Sequence, residues 1–161
     1  MTKLEIIKNK IIDIHQLAQK GNQWRIKSEK IVFTNGCFDI IHHGHIKSIM
    51  SAAEYGNKLV IGVNADASVR ALKGDSRPIN NELDRALVLA SLNYVDHVVI
   101  FNEDNPIELI KALKPDYIVK GGDYTPETVV GNDFIQTYGG QTIIVPLEDG
   151  YSTTNIINKM K

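Results

Sequence analysis

Three histidines within four residues, His42, His43 and His45, are the most conspicuous candidates for chemistry in this sequence. With Gly44 they form the pattern H-x-G-H, which follows an apolar run typical of a strand and begins an amphipathic segment typical of a helix. Free backbone N–H groups and the helix dipole at such a position bind phosphate. Two imidazoles three residues apart can face the same side and stabilise negative charge. The pattern predicts a phosphate site, although three clustered histidines alone could also form a surface turn or a weak metal site.

Other classes of protein are excluded or disfavoured by the rest of the sequence. Neither the P-loop pattern nor the dinucleotide pattern G-x-G-x-x-G is present. Cys37 is the only cysteine, which excludes an internal disulfide and a cysteine-based zinc cluster. The net charge of -1 gives no basic excess for nucleic acid or an anionic membrane. Because apolar runs are of strand length and the start lacks an apolar signal core, we expect a soluble, cytoplasmic protein.

Short apolar runs alternate with amphipathic segments from Lys30 onward. This alternation predicts a doubly wound, Rossmann-like parallel α/β sheet. Ligands of such sheets bind at the carboxyl ends of the strands. The predicted strands are Ile31–Thr34, Leu59–Asn64, His97–Phe101, Tyr117–Lys120 and Thr142–Pro146, and the predicted helices lie near 44–55, 82–93, 105–113, 128–138 and 152–161.

The first twenty residues predict one helix with an apolar stripe, begun by a Thr2–Glu5 capping box and stopped by Gly21. We therefore divide the chain into an N-terminal helical arm, 1–29, and a single globular domain, 30–161. The stripe must be covered either by that domain or by a partner, which makes a homodimer possible.

Two motifs in this sequence resemble the signatures of a known enzyme superfamily. The segment G-C-F-D-x-x-H-x-G-H, residues 36–45, resembles the first signature of the nucleotidyltransferases that include cytidylyltransferases and pantetheine-phosphate adenylyltransferases. Residues 151–156, Y-S-T-T-N-I, are similar to the second signature. Within the superfamily, V-K-G-G-D-Y at 119–124 and R-P-I-N at 77–80 most resemble the D-glycero-β-D-manno-heptose 1-phosphate adenylyltransferases.

The resemblance implies a reaction in which heptose 1-phosphate attacks the α-phosphorus of ATP, giving ADP-heptose and pyrophosphate without a covalent enzyme intermediate. It also implies Mg²⁺ carried by the nucleotide, with no dedicated protein ligand. ATP and a sugar 1-phosphate would then be the partners, and neither nucleic acid nor a membrane is expected.

The resemblance further implies a role for each candidate residue. Lys73 would lie beside the reacting phosphates, and Arg85 would offer a planar fork to phosphate, unless it pairs with a nearby acid. Ser152 and its neighbours would bind phosphate, although they are also ordinary helix caps. The implied catalytic residues are His42, His45 and Lys73; the nucleotide-binding residues are Gly36, Cys37, Phe38, His42, Gly44, His45, Arg85, Lys120, Gly121, Ser152, Thr153 and Thr154; and the substrate-binding residues are Asp39, Asn64, Lys120, Asp123 and Tyr124.

Two departures from the superfamily pattern and three alternatives remain. Ile157 stands where many relatives carry a basic residue, and His43 occupies a position that usually holds another residue type.

A cytidylyltransferase acting on glycerol 3-phosphate, or a similar phospho-alcohol, would use the same fold. A non-catalytic nucleotide-binding module would be expected to have lost one of the two histidines. A metal-binding protein would need a fourth ligand at suitable spacing, which the sequence does not offer.

Overall fold

A five-stranded parallel sheet forms the centre of the molecule, in a computed structural model that describes all residues, Met1–Lys161. The strands lie in the order β3-β2-β1-β4-β5, so successive connections run in opposite directions from β1. This order confirms the predicted doubly wound fold and puts the switch in strand order between β1 and β4. The strands are β1 Ile31–Gly36, β2 Lys58–Asn64, β3 His97–Phe101, β4 Tyr117–Gly121 and β5 Gln141–Val145.

Helices cover both faces of the sheet because alternate strand residues point to opposite sides. Phe33 belongs to one buried cluster, with side chains of α2 and α6, whereas Val32 belongs to the other, with side chains of α3 and α5. The helices are α1 Lys3–Lys8, α2 Ile14–Ile26, α3 His43–Ala53, α4 Asp66–Lys73, α5 Glu82–Ala90, α6 Ile107–Leu113, α7 Asn132–Gln136 and α8 Thr153–Lys159, with one 3₁₀ turn at Pro126–Thr128.

The prediction of a single N-terminal helix is wrong, because the chain forms α1 and α2 with an extended segment between them. Ile11 in that segment pairs with Val98 of edge strand β3, and Asp13 then caps α2. Backbone pairing at an open sheet edge and a second capping box outweigh helical continuity here. The capping box of Thr2 and Glu5 is present as predicted.

The expected stop at Gly21 is also wrong, since this glycine lies inside α2. A Cβ atom there would meet the carbonyl oxygen of Leu113 at 2.6 Å, so the glycine allows α2 and α6 to approach closely. The helix α4 was not among the predicted helices. Its amphipathic segment spans only eight residues and follows directly on a strand.

Helix α2 and the extended segment before it contribute to the core of the domain. Ile12, Leu17 and Trp24 are buried in the same cluster as Phe33, while Leu4 and Ile6 on α1 remain exposed. The boundary at residue 30 and the homodimer both stay predictions. None of the helices is long and apolar enough to span a bilayer.

Candidate active site

A cleft of about 350 Å³ opens at the carboxyl ends of β1 and β4, where the strand order switches. The two signature-like motifs meet in it, because the start of α3 and the start of α8 form adjoining walls. Most of the residues predicted for the site therefore lie together. The predicted residues in its wall are Gly36, Cys37, Phe38, Asp39, His42, Gly44, His45, Lys73, Lys120, Gly121, Tyr124, Ser152, Thr153 and Thr154.

His42 and His45 cap α3 reciprocally at the floor of this cleft. Nδ1 of His42 accepts a hydrogen bond from the N–H of Gly44 at 3.1 Å, and Nδ1 of His45 accepts one from the N–H of His42 at 3.3 Å. The rings stack with centroids 3.9 Å apart. Because Nδ1 is an acceptor in each ring, the neutral imidazole carries its proton on Nε2. Each ring therefore has a single N–H donor, at Nε2.

Both rings are neutral at physiological pH. Burial, followed by the charges of His42 and Lys73, lowers the pKa of His45 to about 4, against an opposing hydrogen bond with the backbone of Ile40. Burial, followed by the charge of His43, also lowers the pKa of His42. A neutral imidazole can donate a hydrogen bond to phosphate without adding to the positive charge of the lysines at the cleft.

We expect the ring resonances of His45 to stay at their neutral positions as the pH falls from 8 to 5. Because an unfolded histidine titrates near 6.5 and folded His45 near 4, folding stability should decrease as the pH falls from about 6.5 towards 4. A bound triphosphate favours the charged ring and should raise this pKa. An NMR titration, with the signal assigned by His45→Gln, measures this pKa in the free and the nucleotide-bound protein. Denaturant unfolding between pH 6.5 and 4 measures the change in stability. A midpoint between pH 6 and 7 in the free protein would contradict the assignment.

The loop after β1 carries local strain beside the histidines. Phe38 adopts a φ of 49°, which bulky residues rarely take, and its ring lies 5.4 Å from that of His45. Gly44 allows a close approach, since a Cβ atom there would lie 3.1 Å from both the His42 ring and Cβ of Tyr151. His43 points elsewhere: it is exposed, does not line the cleft, and packs its ring 4.9 Å from that of Tyr151.

Two lysines provide positive charge at the cleft. Lys120, near the end of β4, donates to the backbone oxygen of Asn35 at 3.0 Å and to its side-chain oxygen at 3.2 Å. Burial lowers the pKa of Lys120, and the neighbouring Cys37 partly offsets this. Lys73 is the exposed last residue of α4, close enough to His45 to affect its pKa. The lysines therefore approach the cleft from two sides.

The start of α8 joins the two motifs physically. Ser152 caps the helix by accepting a hydrogen bond from the N–H of Asn155 at 3.0 Å. Buried Thr153 donates its hydroxyl to the carbonyl of Ile40 at 3.3 Å, which ties α8 to the loop of the first motif. Thr154 is exposed and lines the cleft. Lys159 lies in the last turn of α8, at the end remote from the cleft wall.

Arg85 lies outside the cleft, with its guanidinium fully engaged in the fold. The residue is 1% exposed and donates from Nε to Asn80, from Nη1 to the carbonyls of Cys37 and Asn64, and from Nη2 to Asp66. These bonds hold the ends of β1 and β2 in place from behind. Arg85 thus contacts two predicted site residues, Cys37 and Asn64, through their backbone oxygens, but it does not line the cleft itself.

A second cavity of about 420 Å³ adjoins the first and shares with it Lys73, Lys120 and Tyr124. Asn64, another predicted site residue, lines only this second cavity. Asp123 is exposed and lines neither.

Arg77 is a cleft residue that the sequence reasoning did not assign to the site. It is buried, and its Nε donates to Asp39 at 2.6 Å. Its place in the R-P-I-N segment, which is part of the family resemblance, was the available signal. Tyr151 and Glu148 also line the cleft, and Glu148 is held by Lys47 of α3 at 3.1 Å.

Comparison with known proteins identifies the family. The family model described as "Cytidylyltransferase-like" matches residues 33–159. The chain belongs to the cytidylyltransferase-like family. This membership confirms the resemblance drawn from the two motifs and the prediction of a nucleotidyltransferase enzyme.

Two curated proteins show a strong similarity to this chain. The chain is 53% identical over 151 residues to the "Bifunctional protein HldE" of Geobacter metallireducens, covering 94% of this chain and 31% of that protein. It is 54% identical over 136 residues to the protein of the same name from Syntrophotalea carbinolica, covering 84% of this chain and 28% of that one. The chain thus spans less than a third of the length of these relatives.

Solved structures of similar fold include the lipopolysaccharide core biosynthesis protein from Thermoplasma volcanium. That chain is 26% identical, with a TM-score of 0.60 over 77% of this chain and 99% of its own. The pantoate-beta-alanine ligase of Francisella tularensis is 17% identical, with a TM-score of 0.62 over 91% of this chain and 72% of its own. The second likeness concerns the fold alone.

Proposed function

We propose that this cytidylyltransferase-like chain transfers AMP from ATP to D-glycero-β-D-manno-heptose 1-phosphate, producing ADP-heptose and pyrophosphate. The observation that carries the proposal is the meeting of both motifs in one cleft, with two neutral imidazoles stacked at its floor. The identity of about half the residues to proteins named HldE supports the choice of a heptose substrate.

The proposed chemistry is a direct in-line displacement. An oxygen of the sugar phosphate attacks the α-phosphorus, and the bond from that phosphorus to the oxygen bridging to the β-phosphate breaks, so that pyrophosphate leaves. His42 and His45 donate from Nε2 to phosphate oxygens whose charge grows during the reaction, and Lys73 neutralises charge from the α4 side. The remaining contribution of the protein is to hold two anions in reactive contact.

The two cavities divide between the two substrates. The first cavity, with the starts of α3 and α8, takes the nucleotide and its phosphates. The second takes the sugar, where Asn64, Tyr124 and, at the outer rim, Asp123 offer groups for sugar hydroxyls. Lys73 and Lys120 line both cavities, at the junction where the attacking and attacked phosphates must meet.

A divalent cation would accompany the triphosphate without a dedicated protein site. The chain has no cluster of three or more His, Cys, Asp or Glu side chains suited to a metal. The two carboxylates at the cleft are already engaged, Asp39 with Arg77 and Glu148 with Lys47. This donor set fits Mg²⁺ held by phosphate oxygens and water, where it would neutralise the charge of the triphosphate.

Direct displacement predicts inversion of configuration at the α-phosphorus. ATP made chiral at this position with sulfur and oxygen isotopes, incubated with Mg²⁺ and heptose 1-phosphate, should give ADP-heptose of the opposite configuration, as read by ³¹P NMR and mass spectrometry. Retention would indicate two successive displacements through a nucleotidyl-enzyme and would contradict the proposed mechanism.

A cytidylyltransferase acting on glycerol 3-phosphate or a similar phospho-alcohol is the second candidate, favoured by the description of the family whose model the chain matches. The phosphate-binding walls would serve either nucleotide. The choice of base and acceptor is therefore tested directly by competition between the substrates.

A further inference from the structure

We infer that Arg77 binds a phosphate group of the nucleotide and that Asp39 is the positioning residue that fixes its guanidinium. The inference rests on the proposed function, in that it assigns the anion to a nucleotide bound in the first cavity. It concerns a side chain for which neither motif supplies a role.

The guanidinium of Arg77 is buried but incompletely bonded. Only 8% of the residue is exposed, and its Nε donates to Asp39, yet its Nη2 is out of contact with solvent and has no hydrogen-bond partner. Buried polar groups are nearly always bonded, and an unbonded charged donor is especially costly. The fold therefore leaves a charged donor unpaired on a side chain that lines the cleft.

Arg85 provides an internal comparison. It is the other arginine buried in this part of the molecule, and each of its three guanidinium nitrogens donates to a protein oxygen. The fold is thus able to saturate a buried guanidinium within a few residues of the cleft. It does so for Arg85, which lies behind the cleft wall, and not for Arg77, which lines the cleft.

Asp39 is held so that it fixes the direction of Arg77. One of its carboxylate oxygens accepts from the N–H groups of Ile79 and Asn80 at 2.9 Å each, and the other accepts from Ile79 at 3.0 Å and from Arg77. The side chain of Asn80 also donates to the backbone oxygen of Asp39 at 2.7 Å. Burial alone would raise the pKa of Asp39, but these hydrogen bonds hold it below its ordinary value.

The location of Arg77 favours a contact with the nucleotide phosphates over one with the sugar phosphate. Arg77 lines the first cavity, with His42, His45 and Thr154, and is absent from the wall of the second. Lys73 and Lys120, in contrast, line both. A planar guanidinium with its Nε already fixed can present its other edge to two oxygens of one phosphate.

The test compares nucleotide affinity in Arg77→Gln, Arg77→Lys and wild type. The probe is α,β-methylene ATP with Mg²⁺ and no acceptor, measured by titration calorimetry on the full chain. We expect Arg77→Gln to raise Kd by about 10–100-fold, the effect of losing hydrogen bonds to a charged group, and Arg77→Lys to raise it less. Arg70→Gln, a change at an exposed arginine outside both cavities, is the matched control and should leave Kd unchanged.

The positioning role of Asp39 is read from a double-mutant cycle. Asp39→Asn should raise Kd for the same probe, and the double variant with Arg77→Gln should be no worse than Arg77→Gln alone, because both changes remove one interaction. A merely structural role for Asp39 would give additive losses. Thermal unfolding of each variant shows that the chain is folded, and Arg77→Lys retains the charge if Arg77→Gln does not fold.

An unchanged Kd in a folded Arg77→Gln or Arg77→Lys variant would overturn the inference. An effect confined to the KM of the sugar phosphate would also overturn it, since the anion would then belong to the acceptor. The result is separable from the proposed function. If wild type binds the probe but forms no ADP-heptose, the proposed function fails, while the affinity comparison still decides the role of Arg77.

Discussion

Replacement of His45 by alanine is expected to lower the turnover number by about 10²–10³-fold, the usual cost of losing one donor to a charged transition state. The same loss is expected for His42→Asn, which retains an oxygen able to cap α3 and so separates chemistry from fraying of the helix. Initial rates of pyrophosphate release at saturating ATP and heptose 1-phosphate measure the effect, and thermal unfolding reports whether the fold is intact.

His43→Ala is the matched control for these two variants. His43 lies between His42 and His45 in sequence, but it is exposed and outside the cleft wall. Its loss should change turnover by less than about threefold, which is about 0.6 kcal/mol in activation free energy. Turnover close to wild type in folded His45→Ala and His42→Asn would remove the imidazoles from the mechanism.

Arg85→Met should lower the free energy of unfolding by about 3–5 kcal/mol, because it strands buried polar groups that the guanidinium now satisfies. The carbonyls of Cys37, Asn64 and Asn80 would lose their donor, and Asp66 would lose its ion-pair partner. Denaturant unfolding followed by circular dichroism measures the change. Arg70→Met, at an exposed position of α4, should shift stability by no more than about 0.5 kcal/mol.

The same pair of variants tests the sequence-derived prediction that Arg85 contacts the nucleotide. If Arg85→Met keeps wild-type stability but loses much of its affinity for α,β-methylene ATP, the result would support that prediction and contradict the structural role. A large loss of stability, with near-normal affinity in the remaining folded protein, would establish that Arg85 supports the cleft from behind.

Much of the fold and cleft was predictable because the relevant signals are local. Five buried apolar runs separated by amphipathic segments predict the parallel sheet, and ligand placement at strand ends follows from that topology. His42, Gly44 and His45 are close in sequence, so a strand before them and a helix after them are sufficient to locate them at the floor of a cleft. Ser152 required the family resemblance in addition, because serine is an ordinary helix cap.

The remainder depended on contacts between residues distant in sequence. Arg77 and Arg85 are eight positions apart and both precede or begin apolar segments, so sequence alone does not reveal which guanidinium the fold saturates. The carbonyls of Asn64, at the end of β2, and Cys37, just after β1, decide it. Likewise, α1 and α2 read as one helix until Ile11 is seen to pair with the edge of β3.

Pyrophosphate release from a matrix of substrates tests the central claim most directly. ATP and CTP, each with Mg²⁺, are combined in turn with β-heptose 1-phosphate and glycerol 3-phosphate, and kcat/KM is compared across the four pairs. The account predicts rapid release only with ATP and heptose 1-phosphate, at a rate lowered about 10²–10³-fold in His45→Ala and retained in His43→Ala. Release with CTP and glycerol 3-phosphate in its place would contradict the assigned substrates while leaving the phosphate site intact, and silence in all four pairs would contradict the assigned reaction.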